Sequence, residues 1–232
     1  KPFVPAEIDR ALNDVSTIIV GSDWVWYLTE SQYDWVPDQL PATKQLYLGF
    51  FPDTMKERKL IAYAASQGRI PEQSSSLLRL AMRNFNAISV REAESVDYLK
   101  TNGCEKEIKH VLDPTLLLEK IDLEEVAKDQ GDRREKYILV YCLSCKNKNM
   151  ILKYVSNLER STGLKVRVLN TSKEFSYPGV EAEGDRSGPV EFLASVRDAE
   201  YVVTNSFHGM VFSCLYHKPF TAFQRQDRDY RQ

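Results

Sequence analysis

The sequence predicts an α/β protein built from two Rossmann-like domains that face one another across a cleft. Short runs of β-branched and aromatic residues, each of strand length, alternate with longer segments whose apolar residues recur at helical spacing. This alternation occurs twice, on either side of a charged stretch at residues 129–136 that contains Gly131. We therefore expect an N-terminal domain at residues 1–131 and a C-terminal domain at residues 132–232.

Composition narrows the class of protein. The 232 residues are 43% hydrophobic and 28% charged, with a formal net charge of −2, so the chain is typical of a soluble globular protein and offers no basic footprint for nucleic acid. No apolar run approaches the roughly 20 residues that a membrane span needs, and no signal-peptide pattern is present. These features predict a cytoplasmic protein without a transmembrane segment. Because the first residue is Lys1, a leader peptide that has been removed is also compatible with the sequence.

The four cysteines do not indicate a disulfide framework or a metal site. They are few and scattered, and Cys142 and Cys145 form a single CxxC pair without a second pair or a nearby histidine. We interpret these two as incidental thiols. His110 and His217 also lack acidic or thiol neighbours at ligand spacing, so no metal and no cofactor are expected.

The first domain is predicted to contain strands that alternate with helices. The predicted elements, in order, are a helix at 5–13, strands at 16–20 and 59–65, a helix at 74–85, a strand at 87–90, a helix ending at Gly103, a strand at 107–112 and a helix at 123–128. Residues 27–51 are rich in aromatic residues without clear periodicity, which fits either packing or sugar stacking. An α/β domain normally opens with a strand and a phosphate-binding turn, so this domain is expected to be incomplete.

The second domain repeats the alternation. It is predicted to comprise a strand at 137–143, a helix at 149–162, a strand at 165–169, a loop at 175–188, a helix at 190–196 and a strand at 200–204. A last helix follows from Gly209, where apolar residues recur at helical spacing, and Pro219 prevents it from running on.

The turn between the last predicted strand and helix is the first candidate site. Ser206, Phe207, His208 and Gly209 occupy it. In open parallel sheets ligands bind beyond the carboxyl ends of strands, where a following helix directs its free N–H groups outward. Gly209 permits a ligand to approach the backbone closely, and Ser206 offers a hydroxyl. His208 can bind an anion or carry a proton. The alternative is a structural histidine that caps the helix or bonds a backbone carbonyl.

A second candidate site follows the strand at 16–20. Gly21, Ser22 and Asp23 come directly after it, where functional loops of parallel sheets lie. The alternative is a plain turn in which Asp23 bonds its own backbone.

Arg91 and Glu92 stand at a third strand end, after the strand at 87–90. An arginine there can clamp a phosphate or carboxylate with two parallel hydrogen bonds. On geometry alone, an ion pair of Arg91 with Glu92 or Glu94 is the favoured interpretation.

Several motifs in order along the chain resemble the polysaccharide pyruvyl transferase family. The family's C-terminal signature is matched by SFHG, the apolar helix that follows and KPF, which ends at Phe220. The upstream matches are VGSDWVW at 20–26, IAYAAS at 61–66, ISVREAESVDYL at 88–99 and VLDPTLLL at 111–118. Trp24 departs from the family, in which a small polar residue such as Gln is frequent, and this leaves the acceptor specificity open.

The resemblance implies a GT-B-like pair of domains and a transfer of pyruvyl from phosphoenolpyruvate to a sugar or lipid-linked glycan, forming a ketal and releasing phosphate. It implies that phosphoenolpyruvate is held by Arg91 and the Ser206–Phe207–His208 turn, whose Gly209 lets backbone N–H groups share the charge. His208 is then a phosphate ligand or an acid catalyst. Gly21 and Ser22 contribute to substrate binding, and Asp23 or Glu92 is a base or orienting group. A place at the inner face of the membrane is compatible with such an acceptor.

Two other classes of function remain open at this stage. A GT-B glycosyltransferase with a nucleotide-sugar donor shares the architecture, and a ribose-binding carboxylate would distinguish it. Asp227 and Asp229 lie at roughly that spacing beyond the turn. The other alternative is a non-catalytic fragment that binds glycans or anions.

Overall fold

A computed structural model describes residues 12, 14–32, 35–51, 58–68, 75–127, 135–143, 146–170, 175–180 and 188–224. The chain divides into two compact units, Lys1–Pro114 and Thr115–Gln232. Each unit holds one parallel sheet with helices between its strands. The α/β fold class predicted from the sequence is therefore confirmed.

The first unit is a four-stranded parallel sheet in the order β1-β2-β3-β4. Its elements are β1 (Thr17–Val20), α1 (Ala42–Tyr47), β2 (Lys59–Ala65), α2 (Ser76–Asn84), β3 (Ala87–Val90), α3 (Ala93–Thr101) and β4 (Ile108–His110). Because all four strands run the same way, their carboxyl ends lie along one edge of the sheet.

The first core forms where α2 packs on the strands. Its buried residues Leu77, Leu78, Ala81 and Met82 fall on one helical face. The helix begins after Ser75, whose hydroxyl accepts a hydrogen bond from the backbone N–H of Leu78 at 3.1 Å. This N-cap fixes the point at which the chain turns from the preceding segment into the helix.

The second unit is also a four-stranded parallel sheet, in the order β6-β5-β7-β8. Its elements are α4 (Lys120–Ala127), β5 (Tyr137–Cys142), α5 (Lys148–Thr162), β6 (Lys165–Asn170), α6 (Pro189–Asp198), β7 (Tyr201–Thr204), α7 (Phe207–Leu215) and β8 (Phe220–Ala222).

The central strand β5 is buried on both faces, as parallel strands require. Ile138 and Val140 pack with residues of α5, including Ile151, on one face of the sheet. Leu139 packs on the other face with residues of α4 and α6, such as Leu123 and Leu193. The alternation of side chains along one strand thus provides the second unit with two apolar layers.

Several predictions differ from the structure or lie outside it. The predicted helix at 5–13, apart from Leu12, and the domain boundary at 131 lie outside the described residues. Helix α4, which the prediction assigned to the first domain, packs in the core of the second unit. Strand β4 is shorter than predicted, because the chain leaves the sheet after Val111 and brings Asp113 to Arg91. Helix α1 and strand β8 were not predicted.

Candidate functional site

The turn between β7 and α7 is built by two hydroxyl side chains. Ser206 is the N-cap of α7, and its Oγ accepts from the backbone N–H of Gly209 at 3.3 Å. Thr204 Oγ1 accepts from the backbone N–H of Ser206 at 3.0 Å and donates to the carbonyl oxygen of Tyr141 at 2.6 Å. The start of the helix is therefore fixed to the carboxyl end of β5.

Gly209 and Ser206 have structural tasks in this turn. A Cβ atom on Gly209 would lie 2.3 Å from Thr204 Oγ1, so only glycine fits beneath the threonine. Ser206 is 1% exposed and its hydroxyl is engaged in the helix cap. The predicted contact of Ser206 with a ligand stays a prediction, while its observed task is to shape the turn.

His208 is the second residue of α7 and is half-buried. Its ring meets Phe207 edge-on, with centroids 5.3 Å apart, and stacks on Phe212 at 6.5 Å. Within the described part of the chain, its imidazole makes no hydrogen bond to another residue. The alternative of a histidine bonded to a backbone carbonyl is thus not observed there, and both ring nitrogens can serve a ligand.

Tyr141 belongs to the same turn, although sequence reasoning did not single it out. Its side chain hydrogen-bonds with Ser206, and burial raises the pKa of Tyr141, so the phenol stays protonated at neutral pH. Its ring packs 4.8 Å from Phe192, which in turn packs 5.5 Å from Phe212. A row of aromatic rings therefore supports the imidazole of His208. The available signal was that Tyr141 lies near the carboxyl end of a buried strand.

A different cluster lies at the carboxyl edge of the first sheet, around Arg91. The guanidinium donates from Nη1 to Asp113 at 2.6 Å, from Nη2 to Asp23 at 2.7 Å and from Nε to Glu92 at 3.0 Å. Burial opposes the charge on Arg91, but the three carboxylates outweigh it, so the pKa of Arg91 is raised. The ion-pair interpretation with Glu92 is therefore what the structure displays.

The three carboxylates differ sharply in exposure. The side chain of Asp113 is 2% exposed and that of Asp23 is 56% exposed, while the arginine between them is 8% exposed. Asp113 Oδ2 also accepts from the hydroxyl of Ser22 at 3.3 Å. Asp113 thus holds both the arginine and the Gly-Ser-Asp loop from below, and Asp23 faces solvent.

The loop at 21–23 is held closely against β2. A Cβ atom on Gly21 would lie 2.0 Å from the carbonyl oxygen of Tyr63, so the close approach requires glycine. The backbone N–H of Ser66 donates to the carbonyl oxygen of Ser22 at 2.9 Å. The hydroxyl of Ser66 donates to Glu92 at 2.5 Å. The ends of β1, β2, β3 and β4 are thereby joined in one polar network.

The neighbouring tryptophans have different environments. Trp26 is 1% exposed, packs on Phe85 at 5.3 Å and donates its indole N–H to the carbonyl oxygen of Tyr47 at 2.9 Å, so it is a core residue. Trp24 is half-buried and lies 5.0 Å from Tyr27. Of these two tryptophans, only Trp24 is partly exposed, and its indole also lies close to Gly68.

The two clusters have opposite electrostatic character. One guanidinium and three carboxylates give the Arg91 cluster a net charge of −2. The α7 turn holds no carboxylate in its described contacts and offers the positive end of a helix. A phosphate group is therefore favoured at the α7 turn. Hydroxyl groups that donate hydrogen bonds are favoured at the Arg91 cluster.

Among the described residues, no three His, Cys, Asp or Glu side chains are grouped so as to hold a metal ion. In the same part of the chain, no helix is long and apolar enough to cross a membrane.

Comparison with solved structures defines the fold class. The structure is similar to UDP-GlcNAc 2-epimerase from Methanocaldococcus jannaschii, at 15% sequence identity and a TM-score of 0.55, over 93% of this chain and 64% of that chain. It also matches a protein assigned as UDP-N-acetylglucosamine 2-epimerase from Listeria monocytogenes at 12% identity and a TM-score of 0.49, over 94% and 58% of the two chains. This chain thus spans less than two thirds of either protein. The first likeness confirms the GT-B-like α/β fold.

The family follows from the sequence. The model of the polysaccharide pyruvyl transferase family matches residues 2–227, nearly the whole chain. The chain belongs to the polysaccharide pyruvyl transferase family. Comparison with curated protein sequences gave no match.

Proposed function

We propose that this protein transfers a pyruvyl group from phosphoenolpyruvate to a sugar of a polysaccharide or glycan precursor, forming a ketal and releasing phosphate. The observation that carries the proposal is His208. It lies within the family's SFHG motif, at the N-terminus of α7, with no hydrogen bond to a described residue. Such a histidine is suited to an anionic ligand.

The phosphate of the donor binds at the α7 turn in this proposal. Backbone N–H groups of the first helical turn and the helix dipole stabilise the dianion, and His208 donates a hydrogen bond to it. Gly209 donates its own N–H to the helix cap, and Phe207 is 40% exposed beside the imidazole. For Arg91, the family resemblance implies contact with the carboxylate of phosphoenolpyruvate.

The reaction adds two hydroxyl oxygens of the sugar to C2 of the donor. The first hydroxyl loses its proton to a base and its oxygen bonds to C2, while C3 gains a proton from an acid and becomes a methyl group. The second oxygen then displaces phosphate by cleavage of the C2–O bond, and its proton leaves with the phosphate or a base. In this proposal, His208 protonates C3 or the leaving phosphate.

Asp23 is the proposed base for the sugar hydroxyl. It is the most exposed carboxylate of the Arg91 cluster, at 56%, whereas Asp113 is buried and Glu92 is shared with Ser66. A net negative cluster also suits a neutral polyol, whose hydroxyls donate hydrogen bonds to carboxylates. The acceptor thus binds at the edge of the first sheet in this proposal.

The test is release of phosphate from phosphoenolpyruvate in the presence of a panel of hexose and N-acetylhexosamine glycosides. His208→Ala should lower turnover by about 10²-fold to 10⁴-fold, the usual contribution of a positioned acid, without changing the thermal melt. His217→Asn is the control, since His217 is exposed, follows α7 and has a positive φ that Asn tolerates. Equal turnover in both variants would refute the assigned role of His208.

A further inference from the structure

We propose that Asp23 occupies an exchangeable position on Arg91, and that the carboxylate of the incoming donor takes its place and thereby frees Asp23 to act as a base. This inference rests on the proposed function. It concerns the Nη2 arm of the guanidinium, which donates to Asp23 at 2.7 Å.

Of the three carboxylates that bond to Arg91, Asp23 is held weakly, whereas Asp113 and Glu92 are held by further contacts. Asp113 is 2% exposed, accepts from Nη1 at 2.6 Å and also accepts from Ser22. Removal of the Asp113 carboxylate would leave the buried charge of Arg91 without this partner. Glu92 bonds Nε at 3.0 Å and is tied to Ser66 at 2.5 Å. Asp23 is 56% exposed, and exposed ion pairs are readily exchanged with water or another anion.

The charge balance favours exchange over addition. The cluster already carries three carboxylates for one guanidinium, so a fourth anion would be repelled. Replacing Asp23 by a ligand carboxylate keeps the number of carboxylates on the arginine unchanged. Asp113 and Glu92 act as positioning residues, since they hold the guanidinium plane while the Nη2 arm changes partner.

The exchange links binding of the donor to activation of the base. While Oδ1 of Asp23 accepts the hydrogen bond of Nη2, that oxygen is occupied and is not available to a sugar hydroxyl. Once the ligand carboxylate has taken over Nη2, Asp23 can accept the proton of a sugar hydroxyl. No bond other than hydrogen bonds is made or broken in this step.

The test measures the Kd of phosphoenolpyruvate for the wild type, Asp23→Asn and Asp113→Asn by titration calorimetry. Asp23→Asn should tighten binding of phosphoenolpyruvate about twofold to fivefold, because the exposed ion pair of Asp23 no longer competes with the ligand carboxylate for Nη2. The same substitution should lower turnover, because the base is lost. Asp113→Asn should weaken binding, although it removes the same charge. Opposite signs distinguish exchange from simple electrostatics, which would tighten both.

Inorganic phosphate provides the second arm of the experiment. Its Kd should be the same in the wild type and in Asp23→Asn, because phosphate has no carboxylate to take the place of Asp23 on Nη2. If Asp113→Asn lowers the thermal melt, Glu92→Gln repeats the comparison at the Nε arm and should also weaken binding of phosphoenolpyruvate.

The remaining outcomes overturn the inference in different ways. Failure of the wild type to bind phosphoenolpyruvate would remove both the proposed function and the exchange. Binding by the wild type with an unchanged or weaker Kd in Asp23→Asn would refute the exchange alone. Equal tightening of phosphate and phosphoenolpyruvate in Asp23→Asn would reduce the effect to net charge and also refute the exchange.

Discussion

Two tyrosines of the second core are buried to a similar extent but differ in what their hydroxyls contact. Tyr137 is 2% exposed, and its hydroxyl donates to the carbonyl oxygen of Ser195 at 2.8 Å. Tyr216 is 3% exposed, and its buried hydroxyl has no hydrogen-bond partner among the residues that the structure describes. Burial raises the pKa of Tyr216 to about 12, so it is a neutral phenol at all ordinary pH values.

We expect opposite effects when each hydroxyl is removed. Tyr216→Phe should leave stability unchanged or raise it by about 1 kcal/mol, because an unsatisfied polar atom is removed from the core. Tyr137→Phe should cost about 1 kcal/mol or more, because the carbonyl of Ser195 loses its donor. Urea unfolding of both variants measures the difference, and a larger loss in Tyr216→Phe would contradict this account of the core.

The candidate site was only partly predictable from individual residues. Asp23, Arg91 and His208 were identified because polar residues at the carboxyl ends of buried strands stand out in sequence. Asp113 was not identified as a site residue, since nothing local reveals that it reaches across to Arg91, 22 residues earlier. The ion pairs around Arg91 depend on the order of the strands in space, which periodicity does not contain.

Helix α2 ends without the glycine cap that many helices use. Its C-cap Phe85 is extended, with φ −85° and ψ 136°. The ammonium of Lys106 supplies donors instead, to the carbonyl oxygens of Met82 and Arg83 at 3.0 Å each and to that of Phe85. A positive charge at this end also complements the helix dipole.

Loss of this cap should therefore be measurable. Lys106→Met should lower the free energy of unfolding by about 1–2 kcal/mol, because the carbonyl oxygens lose charged donors. Lys109→Met is the matched control, since Lys109 is exposed on β4 and should change stability by less than about 0.5 kcal/mol. Equal losses in a thermal melt of the two variants would show that Lys106 contributes nothing beyond its charge.

Elements were predictable in proportion to the apolar surface that they bury. Strands β2, β5 and β7 were predicted because each is a buried run of aliphatic and aromatic residues. Helix α1 has no buried residue and so leaves no apolar period in the sequence. Strand β8 is three residues long and exists through pairing with β7, which is a tertiary interaction.

At the scale of the whole chain, the repeated alternation of strands and helices was sufficient to predict the α/β class. Each of the two units has its own parallel sheet and its own polar cluster at a carboxyl edge. The cluster of the first unit is acidic around Arg91, while the turn of the second unit presents His208. That the protein binds phosphoenolpyruvate is a prediction, and it is the central claim of the proposed function.

The most direct test of this claim is a thermal melt of the protein with phosphoenolpyruvate or with a nucleotide sugar such as UDP-GlcNAc. A ligand at a hundred times its Kd stabilises the native state by about 2.7 kcal/mol, which corresponds to a shift in Tm of about 5 °C or more. We expect this shift with phosphoenolpyruvate, and we expect both Arg91→Ala and His208→Ala to reduce it strongly. A shift with UDP-GlcNAc and none with phosphoenolpyruvate would contradict the account.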